Sequence, residues 1–185
     1  MMHLGVDYSI NSPGICVGGV YHLFVHPNPE FAIKQTIETD KVTHVIQGVY
    51  YDGAALGHSY SGRAITMIKL ILIELEKLKI EEPGTAFVEG YAFSKFGGGS
   101  GRLIQMAENV GVAKAFLLLK GYNIEEIQPT SVKKMAGKGN YDKKQMAQAF
   151  EKEYGYFPHE KIGCGIESSP ASDIVDAHYL WKFGK

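Results

Sequence analysis

Two short apolar segments that each end in an acidic residue constrain the fold of this chain more than any other feature. The segment His-Leu-Gly-Val-Asp at 3–7 predicts a β-strand ending at Asp7, and Thr-Ala-Phe-Val-Glu at 85–89 predicts another ending at Glu89. Near the C-terminus, Asp173 and Asp176 lie in a segment with helical character. Because residues three apart on a helix are neighbours, a helix packed across two adjacent strands would bring four carboxylates together.

Four converging carboxylates predict a metal site, since carboxylate and water oxygens are the ligands that Mg²⁺ and Mn²⁺ prefer. Each acid also has a simpler interpretation. Asp7 is typical of a turn after a strand, and Asp173 is typical of a first-turn acid that complements the helix dipole after Pro170. The metal prediction therefore depends on the order strand-Asp, strand-Glu, helix-Asp-x-x-Asp, and not on any single residue.

Length and composition indicate one globular domain over residues 1–185. The chain is long enough to bury a core, and with 45% hydrophobic residues it is too apolar for extended disorder. The two cysteines and seven histidines show no metal-binding spacing such as CxxC, HxxxH or HxH, which argues against zinc. The start does not resemble a signal peptide, and the most apolar stretch, 64–78, contains charged residues. We expect a soluble, cytoplasmic protein without a membrane span.

A basic segment stands out against the net charge of −1. The segment from position 133 to position 144 contains five lysines and one acidic residue, so its local charge is +4. Such a patch beside an acidic site is compatible with phosphate contacts to DNA. The simpler interpretation is a solvated surface loop, because most charge runs are of that kind. The lysines are Lys133, Lys134, Lys138, Lys143 and Lys144.

The order of elements predicts an α/β fold. After the first strand, a turn at 11–14 leads into strand-like runs at 15–20 and 21–25, which indicates an antiparallel meander. A further candidate strand lies at 43–49, and another at 122–128. Helical patterns cover residues 63–79, 102–120, 142–154 and 171–183. Three antiparallel strands followed by β-α crossovers form a mixed β-sheet flanked by helices.

Several of these motifs together resemble the RuvC-type Holliday junction resolvases, a branch of the ribonuclease H-like nuclease superfamily. Residues 4–14 resemble the family's first-strand motif, and Phe-Val-Glu-Gly-Tyr at 87–91 resembles its central strand with the Glu ligand. Residues 129–146 resemble the basic segment that the family places against DNA, and 171–177 its C-terminal helix with the last two acids. Residues 26–60 match nothing in the pattern. A phage-encoded family member is one interpretation.

The resemblance implies a ribonuclease H-like fold and a homodimer that cuts four-way DNA junctions in paired strands. It also implies two Mg²⁺ (or Mn²⁺) ions per active site, about 4 Å apart, held by Asp7, Glu89, Asp173 and Asp176. Phosphate contacts are expected from Lys133, Lys138, Lys143 and Lys144, and Lys133 and Lys143 match the family's basic positions best. Aromatic rings beyond Glu89 are expected to stack on exposed bases or, alternatively, to pack in the protein; the candidates are Tyr91, Phe93 and Phe96.

Other functions remain open at this point. A related ribonuclease H-like endonuclease could cut flaps or other branched DNA. A non-catalytic junction-binding module could keep the fold, although the presence of all four acids argues against it. A relative of the actin-like ATPases shares the early strand-Asp-turn-strand order but needs a far longer chain. Either predicted helix at 63–79 or 102–120 has apolar surface for a dimer interface.

Overall fold

A seven-stranded mixed sheet forms the centre of the protein. The computed structural model describes residues 1–9, 12–53, 60–90 and 100–185. The strands are β1 (Met2–Asp7), β2 (Gly14–Val17), β3 (Tyr21–His26), β4 (Lys34–Glu38), β5 (Thr43–Tyr50), β6 (Pro83–Glu89) and β7 (Asn123–Ile127). Their order across the sheet is β4-β5-β3-β2-β1-β6-β7. The predicted mixed sheet flanked by helices is confirmed.

The pairing of the strands follows the predicted meander and crossovers. Strands β1, β2 and β3 are antiparallel, and β6 and β7 add to β1 in parallel. The candidate strand at 43–49 is present as β5, which pairs in parallel with β3. Strand β4 at the sheet edge was not predicted. Ile37 is its only buried residue, so its sequence lacks the alternation that marks a half-buried strand.

The described residues form six α-helices, which lie on both faces of the sheet. They are α1 (Tyr60–Lys77), α2 (Ser100–Leu119), α3 (Pro129–Ala136), α4 (Lys143–Tyr154), α5 (Pro158–Ile162) and α6 (Ala171–Trp181). Helices α1 and α2 contact each other beside one face, whereas α6 lies on the opposite face and contacts α3, α4 and α5. Helix α3 forms the start of the basic segment at 129–146, and the sequence patterns did not predict it. None of the described helices is long and apolar enough to cross a membrane.

Side chains alternate between the two faces of the sheet along each strand, so the protein has one hydrophobic core on each face. Leu4, Val6 and Val88 belong to the core beneath α1 and α2, together with Ile15 and Leu23. The residues between them point to the other face, because successive side chains of a strand alternate. On that face Phe87 belongs to a second core that includes much of α6. Asp7 and Glu89 follow Val6 and Val88 directly, so they point towards α6.

Two glycines allow α6 to lie directly on the sheet. A Cβ atom at Gly5 in β1 would collide with the backbone of Ala177 and Trp181. A Cβ atom at Gly14 in β2 would lie 2.5 Å from the carbonyl oxygen of Asp173. Any larger side chain at either position would force the helix outwards. The close approach of α6 brings its two acids to the carboxyl end of β1.

Candidate metal and nucleic-acid site

The first two acids lie side by side at the end of two parallel strands. Val6 pairs with Val88 in the register of β1 and β6, and Asp7 and Glu89 each come one residue later. Strand β1 lies between β2 and β6, near the middle of the sheet. Asp7 is therefore positioned between Glu89 on one side and the start of α6 on the other.

The second pair of acids lies in the first two turns of α6. Asp173 is 4% exposed, and its main chain rests on Gly14. The Ser169 hydroxyl donates a hydrogen bond to Oδ2 of Asp173 at 2.6 Å, and the Ser172 hydroxyl lies 3.3 Å from Oδ1. These hydroxyls fix the orientation of the Asp173 carboxylate before any ligand arrives.

The four acids are close enough to perturb one another's ionisation. Burial raises the pKa of Asp7 well above its usual range, and the negative charges of Glu89, Asp173 and Asp176 raise it further. Burial, followed by the charges of Glu89 and Asp173, raises the pKa of Asp176 to about 7. Burial also raises the pKa of Asp173, against the opposing effect of the Ser169 hydrogen bond. The site therefore favours a bound proton or cation over four bare negative charges.

The donor set fits divalent cations such as Mg²⁺ or Mn²⁺. All four side chains offer hard oxygen ligands, the type that these ions prefer. The charges of Glu89, Asp173 and Asp176 all act on Asp7, so the four side chains could contribute ligands to one shared site.

Two of the four predicted lysines lie next to the acids. The Lys143 ammonium donates a hydrogen bond to the Ser172 hydroxyl at 3.1 Å. Its positive charge lowers the pKa of Asp7, Asp173 and Asp176 against the larger effect of burial. Lys133 in α3 has the same effect on Asp176. Position 143 is the first residue of α4, whose N-terminus is fixed by a capping box between Asp142 and Gln145.

The two other predicted lysines are not brought next to the acids. Lys138 and Lys144 are exposed, and neither contributes to the pKa shifts of the acids. Tyr91, Phe93 and Phe96 lie outside the described residues. Their predicted role in stacking on bases therefore stays a prediction.

A buried group of Cys16, His22 and His178 was missed by sequence analysis. Its ligand atoms lie within 4.8 Å of one another, and all three side chains are inaccessible to solvent. The search for HxH and HxxxH patterns could not find it, because one member lies on a helix about 160 positions away. The hairpin offered the only local signal, since Cys16 and His22 are cross-strand partners in β2 and β3.

Comparison with known proteins identifies the fold. No family model and no curated protein matches the chain. A structure of Thermus thermophilus RuvC superposes with a TM-score of 0.57 at 15% identity, over 99% of this chain and 94% of that one. A structure of T. thermophilus RuvC in complex with a Holliday junction substrate gives a TM-score of 0.58 at 17% identity, over 98% and 90%. The chain therefore has a RuvC-like fold of the ribonuclease H-like type.

Proposed function

We propose that this chain is a metal-dependent endodeoxyribonuclease that resolves four-way DNA junctions by paired hydrolysis of phosphodiester bonds. The observation that carries the proposal is the position of Asp7, whose ionisation is perturbed by Glu89, Asp173 and Asp176 at once. Similarity over nearly the whole chain to a RuvC bound to a Holliday junction supports branched DNA as the substrate.

The four acids would share the ligation of two Mg²⁺ or Mn²⁺ ions. Asp7 would bridge the two ions because it lies between the other acids. Glu89 and Asp173 would each bind on one side, and Asp176 would complete the second site. When bound, such ions activate the attacking water and stabilise the leaving 3′-oxygen. The protein's own contribution is to hold these carboxylates on two strands and a helix that pack tightly together.

Positive side chains around the acids would position the DNA. Lys143 lies beside Ser172 at the edge of the acid group, so its ammonium can offset charge that develops at the scissile phosphate. Lys133 would act from α3, next to Asp176. Lys138 and Lys144 would contact phosphates farther from the cut. Tyr91 and Phe93 would stack on bases exposed at the branch point.

A homodimer would match the two-fold symmetry of a four-way junction, which needs paired cuts in opposed strands. Large apolar side chains are exposed on the helices of the face opposite α6, namely Ile73 on α1 and Leu118 and Leu119 on α2. They support the expectation that one of these helices supplies the interface.

Cleavage of synthetic DNA in Mg²⁺ tests this proposal. The substrates are a mobile four-way junction, a flap and a plain duplex of matched length. The proteins are the native chain, Asp7→Asn and a control, Asp40→Asn, which changes an exposed aspartate far from the site in sequence. We expect symmetric nicks in the junction from the native chain and the control, and junction binding without cleavage by Asp7→Asn.

Other outcomes would change the proposal in defined ways. Cleavage of flaps in preference to junctions would favour the related endonuclease for branched DNA. Binding of junctions without cleavage by all three proteins would indicate a non-catalytic junction-binding module. Equal cleavage by native chain and Asp7→Asn would exclude the acids as the catalytic site.

A further inference from the structure

We propose that Cys16, His22 and His178 form a second, structural metal site that binds a thiophilic transition-metal ion, Zn²⁺ or Cu⁺. This site is separate from the four acids and would fasten α6 to the β2–β3 hairpin. It involves none of the groups that the proposed nuclease chemistry uses.

The geometry of the three side chains is close to that of a bound ion. Sγ of Cys16 lies 3.7 Å from Nδ1 of His178, and Nε2 of His22 lies 2.9 Å from the same Nδ1. Bond lengths of about 2.3 Å to sulfur and about 2.0–2.1 Å to nitrogen place the ligand atoms of a trigonal or tetrahedral ion roughly 3.3–3.8 Å apart. The two imidazole nitrogens would need to separate by about 0.5 Å, and all three ligand atoms already lie within 4.8 Å of one another.

Two of the three ligands are held by the sheet itself. Cys16 and His22 face each other across the antiparallel pair β2–β3, and both point to the α6 face. His178 lies on α6, two residues after Asp176, and its Nδ1 contacts both side chains. The two histidine rings are stacked at a centroid distance of 5.2 Å. Such a site assembles only when the hairpin and the C-terminal helix are packed together.

The surroundings of His178 fit a metal ligand that coordinates through Nδ1. Its Nε2 lies 2.7 Å from the Tyr154 hydroxyl, which can accept a hydrogen bond from it. The Tyr154 hydroxyl in turn donates to Oε1 of Glu153 at 2.7 Å. Glu153 is paired with Lys182. Metal-bound histidines usually donate their other N–H to an oxygen in this manner, because the bond fixes the tautomer and the ring orientation.

His22 has the complementary arrangement. Its Nε2 faces His178, whereas its Nδ1 makes no well-aligned hydrogen bond within the described part of the chain. The backbone carbonyl of Val45 lies beside this imidazole. With Nε2 bound to a metal, the proton would reside on Nδ1 and be donated towards that carbonyl.

Charge balance favours a soft ion in this buried position. His22 and Cys16 are fully buried, where an uncompensated charge is disfavoured. Binding releases one proton from the thiol to solvent and leaves both imidazoles neutral. A thiolate selects Zn²⁺ or Cu⁺ over Mg²⁺, so the two metal sites of the protein would not compete for the same ion.

Metal analysis of untagged protein tests the proposal. Asp7→Asn serves as the background, so that ions held by the acids are reduced, and cells are grown with added zinc and copper. We expect about one zinc or copper ion per chain, lost in Cys16→Ser and in His22→Gln but kept in Cys164→Ser, which changes the other, partly buried cysteine. Co²⁺ bound by these three side chains should produce a thiolate charge-transfer band, and Cys16→Ser should abolish it.

A second measurement keeps the test decisive if the core variants fail to fold. The native chain is refolded with Zn²⁺, with Cu⁺ or with a zinc- and copper-selective chelator, always in excess Mg²⁺. We expect a higher unfolding midpoint with one of the two ions than with the chelator. Less than about a tenth of an ion per purified chain, together with identical midpoints in all three refolded samples, would overturn the proposal and leave a purely hydrogen-bonded group.

Discussion

Replacement of Asp176 by asparagine is expected to stabilise the metal-free protein at pH 8 and to reduce its response to Mg²⁺. Burial and the charges of Glu89 and Asp173 raise the pKa of Asp176 to about 7. At pH 8 the native side chain is therefore ionised in surroundings that disfavour its charge. Asparagine has nearly the same shape and carries no charge, so the repulsion disappears, but so does a metal ligand.

The size of the effect follows from the linkage between ionisation and folding. A carboxyl group whose pKa is raised in the folded state lowers the free energy of unfolding as the pH rises from its pKa in the unfolded state to its pKa in the folded state. For Asp176 this interval runs from 3.8 to about 7. At about 1.4 kcal/mol per pKa unit, the upper limit is about 4 kcal/mol. Because the neighbouring acids share the repulsion and can relax, we expect a gain of about 1–3 kcal/mol.

Urea unfolding followed by tryptophan fluorescence measures this gain. Trp181 is the only tryptophan, and it lies at the end of α6, where its ring contacts His178. Native chain, Asp176→Asn and the control Asp40→Asn are compared with EDTA and with Mg²⁺. In EDTA, the free energy of unfolding of Asp176→Asn should exceed that of the native chain by the largest amount above pH 7. The difference should shrink as the pH falls towards 4, because the native carboxyl group is then protonated.

The reasoning would be refuted by a loss of stability in Asp176→Asn at pH 8 with EDTA. Such a loss would mean that the ionised carboxylate has a compensating partner in the fold. Equal stabilisation of the variant and the native chain by Mg²⁺ would separately exclude Asp176 as a ligand.

Three further predictions concern the packing, the lysines and the pH. Gly5→Ala should lower the free energy of unfolding by about 1–3 kcal/mol in urea titrations, because the added methyl group collides with the backbone of α6. The control Gly111→Ala, at an exposed helix position with open space, should raise it by about 0.5–1 kcal/mol. Equal effects of the two substitutions would contradict the close contact between Gly5 and α6. Lys143→Gln should slow junction cleavage by about 100-fold in single-turnover assays, and Lys144→Gln much less; equal rates would exclude a specific role for Lys143. Mg²⁺ affinity measured by thermal shift should rise by up to about tenfold per pH unit between pH 6 and 7, because Asp176 must lose its proton, and a flat profile would contradict this coupling.

The part of the site on the sheet could be predicted from local sequence. The short apolar runs at 3–7 and 85–89 indicated two strands that end in acids, and the parallel pairing of β1 with β6 places those acids side by side. The three-residue spacing of Asp173 and Asp176 predicted a shared helical face. These features depend on backbone periodicity, which a sequence expresses directly.

Other features depend on tertiary packing and could not be predicted. The resemblance favoured Lys143 over Lys144, but the contact of Lys143 with Ser172 depends on α4 beginning beside α6. Helix α3 was missed since it has only eight residues and one buried side chain, Val132. The Cys16, His22 and His178 group joins a hairpin to a distant helix, so no spacing rule describes it.

The most direct measurement is anomalous diffraction from crystals of the native chain soaked in Mn²⁺. We predict two manganese peaks per chain, about 4 Å apart, with the Asp7 carboxylate between them and Glu89, Asp173 and Asp176 around them. Peaks that lie away from Asp7, or none at all at concentrations that support cleavage, would contradict the assignment of these four acids as the metal ligands.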